Sequence, residues 1–289
     1  MVNDVLIHAH VPKCGGSTLN LILRNNFRRR FRPIYDLAPR TKFSCDEVRE
    51  LIDDAPSVWC FASHAFSFDL PFRGAARPCR GIALVRDPVR RFLSSYFYHR
   101  NHTRLVPQAR QLKLEDYISY ALRERNQPTY LDGQTLLLGG SADAEGVERI
   151  QRLLSRQEVF LFPLEQLDKA CVLLEKIFPE SFRDCSYVRV RVSRKDQEVT
   201  AKAIESIRSY GPVDERLWGI AQQHLDDLLL EHFGSPSTVE KQVRAFRLRC
   251  LRAGPRLVLG RAIHFLRRMV SRSSSFKLRK STPYTKSVP

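Results

Sequence analysis

Two stretches of the chain carry residue types at spacings that suit the gripping of phosphate. The first, HVPKCGGSTL at positions 10–19, gathers Lys13, Cys14, Gly15, Gly16, Ser17 and Thr18 into one short turn. Adjacent glycines let a backbone bend sharply and approach a ligand closely. The free N–H groups of a following helix start, with the positive end of its dipole, attract an anion. Ser17 and Thr18 add hydroxyl donors, and Lys13 adds a mobile positive charge. The competing reading is an ordinary strand-to-helix turn with an exposed lysine; Pro-Lys ahead of the glycines and Ser-Thr behind them argue against it. The second stretch, ALVRDPVRRFLSSYF at 83–97, ends an apolar run at Arg86 and places Ser94 eight positions on, about two helical turns away. A strand-end arginine, whose planar fork of donors fits phosphate, and a serine on the next helix can converge on one such group. Alternatively, Arg86 and Asp87 form a local ion pair and Ser94 packs in the core.

Proton transfer needs a further group, and histidine is the usual choice near neutral pH. His64, in CFASHAFSF, follows a second apolar run. It is either a base or a hydrogen-bonded core histidine. His8 and His10 lie two apart on one strand face, where a metal pair is the less favoured alternative, and no metal site is expected. His99 and His102 flank a helix end as surface or cleft residues. Two other chemistries fit poorly. A nucleotide kinase or NTPase, the main enzyme rival, calls for Gly-x4-Gly-Lys-Ser/Thr, with lysine after the last glycine; Lys13 precedes both glycines. A cysteine phosphatase built on Cys14 calls for Cys-x5-Arg, and that position is Asn20.

The elements that would position these residues read as an α/β fold, in three layers with a central parallel sheet flanked by helices. A buried strand at 5–11 runs into the glycine turn and then a helix over 18–30. Further strands are expected at 58–62, 81–85 and 158–162. A helix over 88–100 opens with Pro88 at its first position and Asp87 as its cap. Pro163 opens a helix to 177, YVRVRV at 187–192 alternates like a half-exposed strand, and helices follow at 197–209 and 213–233. The body is placed at 1–235. A basic tail at 236–289 holds helical stretches interrupted by Gly254-Pro255 and a disordered end from Ser271.

Composition bounds the rest. The net charge of +17 is lopsided: from Pro236 onward there are 14 Lys/Arg against the single acid Glu240, whereas the preceding 235 residues hold 34 Lys/Arg and 30 Asp/Glu. The body is therefore nearly neutral, and its chemistry is not to be read from the overall charge. The seven scattered cysteines lack any Cys-x-x-Cys pair, which argues against a disulfide framework or zinc ribbon and points to a reducing cytoplasm. Neither a targeting segment nor a membrane span is expected. Basic amphipathic stretches at 240–280 suit peripheral contact with anionic membrane at the inner face, or with another polyanion; no specific nucleic acid is expected. A non-enzymatic membrane- or polyanion-binding protein is accordingly the other rival.

HVPKCGGSTL and LVRDPVRRFLSSYF together resemble the 5′-phosphosulfate loop and the 3′-phosphate motif of the PAPS-dependent sulfotransferase superfamily (PAPS being 3′-phosphoadenosine 5′-phosphosulfate). The resemblance is nearest to carbohydrate sulfotransferases of the heparan sulfate 2-O and chondroitin type, bacterial members included. It extends more weakly through NQPTYLDGQTLLLGG (126–140), VFLFPLEQLDKACVLLEKIFP (159–179), VRVSRKD (190–196) and DERLWGIAQQHLDDLLLEHF (214–233). It implies sulfuryl transfer from PAPS to a hydroxyl of a carbohydrate, without a metal. Lys13 then contacts the sulfate and the bridging oxygen. The backbone of residues 14–18, with the Ser17 and Thr18 hydroxyls, holds the 5′-phosphate; Arg86 and Ser94 hold the 3′-phosphate; Ser193 and Arg194 cover the nucleotide. Cys14 stands where threonine is common, so one hydroxyl contact is lost. His64 resembles the histidine of a His-Gly-His element whose first two positions are here Ala62 and Ser63.

Overall fold

The structure is a computed structural model that describes residues 4–35, 42–69, 75–102, 106–123, 132–188 and 198–278. Strands β1 (Val5–Ala9), β2 (Phe31–Pro33), β3 (Cys60–Ser63), β4 (Cys79–Val85) and β5 (Val159–Pro163) form one sheet in the order β2-β3-β1-β4-β5. Every pairing is parallel. All residues of β1, β3 and β5 are buried, which is why these segments read as unbroken apolar runs rather than alternating ones. Helices flank the sheet, as the α/β reading requires.

The order places β1 between β3 and β4, so the chain leaves β1 toward one edge and returns to build the other. In such sheets the crevice beyond the carboxyl ends of the strands, at the point of reversal, is where ligands bind. The loops after β3, β1 and β4 therefore open side by side at one end of the sheet, and they carry His64, Lys13 and Arg86.

Helix α1 (Gly16–Phe27) begins at the glycine turn and is continued by a 3-10 turn, Arg28–Arg30. Helix α2 (Cys45–Asp53) starts with a capping box between Ser44 and Glu47. Helix α3 (Pro88–His102) starts as expected, with the Asp87 carboxylate accepting from the Arg90 N–H at 2.7 Å. Helices α4 (Pro107–Gln111), α5 (Leu114–Arg123) and α9 (Ala201–Tyr210) pack with α3 around a second hydrophobic cluster that includes Phe92, Tyr96, Tyr117 and Ile207. Helices α6 (Gly133–Gly139), α7 (Ala144–Ser155), α8 (Leu167–Ile177) and α10 (Pro212–Phe233) complete the body, with α7, α8 and α10 against β5.

Four departures from the sequence reading have physical causes. Strand β1 stops two residues early because the Val11 N–H turns back to the Ala9 carbonyl at 3.2 Å. Strand β2 is not apparent in the sequence because it is a three-residue edge strand that includes exposed Arg32 and half-buried Pro33, and proline is tolerated in a sheet chiefly at such an edge. Tyr187 and Val188 are not in a strand; the rest of YVRVRV, with Ser193 and Arg194, lies outside the described residues. Helix α11 (Pro236–Leu278) runs unbroken through Gly254-Pro255, since a proline within a helix removes one hydrogen bond without having to end it. Its beginning is seated on the body: Val239, Val243 and Phe246 are buried in the main core, and Arg247 donates to Asp168 at 2.8 Å. Farther along, Leu251 and Val258 are exposed. Among the described residues, no helix is long and apolar enough to cross a membrane.

Candidate active site

The turn after β1 is held open by two left-handed residues, Lys13 (φ 68°) and Gly15 (φ 78°). A side chain at either glycine would displace a neighbouring side chain, and Gly15 also holds the positive φ that glycine favours. A Cβ on Gly15 would sit 2.3 Å from Leu164 Cδ1, and one on Gly16 would sit 2.2 Å from His10 Nε2. The chain then enters α1 with no side-chain cap, so the first N–H groups of the helix point into the crevice. Ser17 is half-buried beside them and Thr18 is buried.

The second motif meets the first directly. Arg86 Nη1 donates to the Lys13 carbonyl at 3.1 Å. Arg86 Nε lies 3.9 Å from Glu165 Oε1 and is buried without a hydrogen bond among the described residues. Burial is the main influence lowering the Arg86 pKa, with Cys14 and Glu165 opposing it. A guanidinium this desolvated and this incompletely paired is a ready partner for an anion. Ser94 is half-buried on α3, and the same helix carries Tyr98, whose ring centroid lies 3.7 Å from Lys13 Nζ. Lys13, Arg86 and the Ser94 helix thus converge on one crevice.

What ties the two motifs together is a residue that the sequence did not single out. Gln134, fully buried at the start of α6, accepts from the Arg86 N–H at 2.8 Å and from the Cys14 thiol at 3.1 Å, and donates to the Arg86 carbonyl at 2.8 Å. Asp214 of α10 fixes Gln134 in turn, accepting from the N–H groups of Gln134 (3.1 Å) and Thr135 (2.8 Å) and from the Thr135 hydroxyl (2.8 Å). Buried Arg91 lies 4.0 Å away, balancing the Asp214 charge. The only sequence signal for Gln134 was its place inside the 126–140 stretch.

Cys14 therefore points inward. Its thiol is fully buried and its pKa is pushed up to about 12, chiefly by desolvation, with Arg91 and Arg86 pulling the other way. A protonated thiol is a poor nucleophile, which removes the phosphatase reading.

On the β3 side, His64 donates from Nδ1 to the His10 carbonyl at 2.7 Å. That bond leaves Nε2 as the basic nitrogen. His64 is exposed to the crevice, with its ring 4.1 Å from His10 and 5.1 Å from Tyr35, centroid to centroid. Desolvation by this packing lowers its pKa, opposed by the bond to the His10 carbonyl. The β1–β3 register pairs His8 with Ala62 and Ala9 with Ser63, so His10 comes level with His64. His8 is not a surface ligand: it is fully buried, its pKa is lowered to about 4 mainly by desolvation, and it bonds Asn20 Oδ1 at 2.9 Å. Among the described residues, no group of three or more His, Cys, Asp or Glu is placed to hold a metal. His99 is buried rather than at the surface, and its pKa is lowered by burial and then by Lys13.

Residues 2–134 match the model of the sulfotransferase family. Uronyl 2-sulfotransferases of Homo sapiens and Mus musculus are each 27% identical to the chain over 201 residues, covering 62% of this chain and 49% of theirs. The chain spans about half the length of the curated relatives it matches. The matched interval includes the glycine turn, His64, Arg86, Ser94 and the clamp residue Gln134. The strand-end loops that form the crevice thus lie within the part of the chain that is similar to the sulfotransferase family.

Proposed function

We propose that the chain transfers a sulfuryl group from PAPS to a hydroxyl of a carbohydrate. The observation that carries this reading is the contact between Arg86 and the Lys13 carbonyl. It makes one crevice out of two anion-gripping motifs, as a donor phosphorylated at both its 3′ and 5′ positions requires. The N–H groups at the start of α1, with Ser17 and Thr18, hold the 5′-phosphate. Arg86 and Ser94 hold the 3′-phosphate, and Lys13 faces the bridging oxygen. The carbohydrate acceptor follows from the uronyl 2-sulfotransferase relatives.

The step is an in-line displacement. The acceptor oxygen bonds to sulfur as its proton passes to His64 Nε2. The bond from sulfur to the bridging phosphate oxygen breaks, and the negative charge gathering on that oxygen is met by Lys13 and the N–H groups of the turn. Donors fixed in advance where charge develops lower the barrier without having to reorganise. Incubation of the protein with radiolabelled PAPS and a panel of glycans tests the reading. Label moves to at least one hydroxylated glycan if it holds; release of label to water alone across the panel would reject a carbohydrate acceptor.

A further inference from the structure

A chain of hydrogen bonds beside the crevice fixes the tautomer of a histidine to which the mechanism above gives no part. It begins at His8, whose Nδ1 meets Asn20 Oδ1 at 2.9 Å. An amide oxygen only accepts, so His8 Nδ1 carries the proton. With its oxygen thus committed, Asn20 turns its Nδ2 to donate to the Tyr35 hydroxyl at 2.6 Å. Tyr35 meets His10 Nδ1 at 2.7 Å, and its pKa is pushed up to about 12, mainly by desolvation. The Asn20 Nδ2 donor also faces His10 Nδ1 at 3.5 Å, which makes that nitrogen the acceptor and the neutral Tyr35 hydroxyl its donor. A neutral His10 whose Nδ1 accepts must carry its own proton on Nε2.

The position of that N–H is informative. The Cδ2–Nε2 edge of His10 fills the space a Cβ on Gly16 would need, so it lies against the first residue of α1, where the anion cradle begins. Its ring also lies 4.1 Å from that of His64. His10 thus stands between the group that holds the donor's phosphate and the group that faces the acceptor. We propose that His10 is a second catalytic imidazole, whose Nε2–H bonds an oxygen of the sulfuryl group as that group crosses from the turn to the acceptor. Asn20 and Tyr35 are its positioning residues, since they act by holding the tautomer. The assignment rests on the sulfuryl-transfer reading and adds a residue to it.

Three measurements test it. In imidazole ¹⁵N spectra of the wild-type protein near pH 7, His10 appears as the neutral Nε2–H tautomer and His64 as the neutral Nδ1–H tautomer; His10 found as Nδ1–H or as the cation overturns the proposal. In sulfuryl transfer, His10→Ala loses about 100- to 1000-fold in kcat, the usual cost of one transition-state donor, while its affinity for PAP, which lacks the sulfuryl group, stays within about twofold. His10→Gln, which returns an N–H close to the Nε2 position, recovers part of the loss. Tyr35→Phe lowers kcat by about 2- to 10-fold, the worth of one neutral hydrogen bond, and shifts the His10 signal toward a tautomer mixture. His10→Ala with near wild-type kcat sinks the proposal. A wild-type protein that neither binds PAP nor transfers label from PAPS removes the underlying reading instead, and the tautomer spectra distinguish the two failures.

Discussion

Replacing His64 with alanine lowers kcat by about 100- to 10,000-fold, the range expected for loss of a general base, and leaves PAP affinity unchanged. The reason is geometric. The Nδ1 proton of His64 is committed to the His10 carbonyl, so its lone pair sits on Nε2, facing the crevice, and no part of the nucleotide depends on it. The pH dependence has a definite sign. Desolvation holds the His64 pKa below its usual value, so the neutral, proton-accepting form prevails at pH 7. The His64 titration therefore gives an acid limb, with a midpoint below about 6.5, the ordinary imidazole value. A pH–rate profile of kcat/KM for wild type and His64→Ala checks both statements. An acid limb that persists unchanged in the variant would assign the titration to another group.

Replacing Lys13 with alanine produces a different pattern: kcat falls about 100- to 1000-fold, as when one oxyanion donor is removed, and PAP binds more weakly as well. Lys13 lies at the junction of the two motifs, with its ammonium over the Tyr98 ring and its carbonyl accepting from Arg86. It therefore serves the ground state through charge and the transition state through the bridging oxygen. His64→Ala should change turnover alone, and Lys13→Ala both turnover and binding. Isothermal titration with PAP beside single-turnover rates separates the two. A Lys13→Ala variant that transfers at the wild-type rate would leave the leaving-group oxygen without its assigned partner.

The part of this site that was legible in the sequence is the part built from local chemistry. Lys13, Gly15 and Gly16 could be read because a strand, a tight turn and a helix start lie within a dozen residues. Arg86 and Asp87 could be read because proline and a capping carboxylate announce a helix start. The rest depends on pairings between distant segments. Gln134 reaches Cys14 across 120 positions and Arg86 across 48, and Asp214 closes the network from a late helix. None of these leaves a periodic mark, because each is a single polar side chain whose partner lies far away in the sequence. Tyr35 was invisible for a related reason: it follows a three-residue edge strand without an apolar run, and its link to His10 exists only because β2, β3 and β1 stand side by side in parallel register. His8 and His10 were visible as a pair, but their partners Asn20 and Tyr35 were not, so a metal pair was a natural alternative. Gly16 shows the same limit within a motif that was found: the phosphate grip explains a glycine there, yet it is the His10 ring that leaves no room for a Cβ.

The central claim is that the glycine turn and the end of β4 hold two ends of the same nucleotide. The most direct measurement is calorimetric titration of PAP into the wild-type protein and into Arg86→Ala. The account predicts saturable binding to the wild type and a Kd about 10- to 100-fold higher in the variant, the worth of a charged hydrogen bond to phosphate. An Arg86→Ala variant that binds PAP with the wild-type affinity would contradict it.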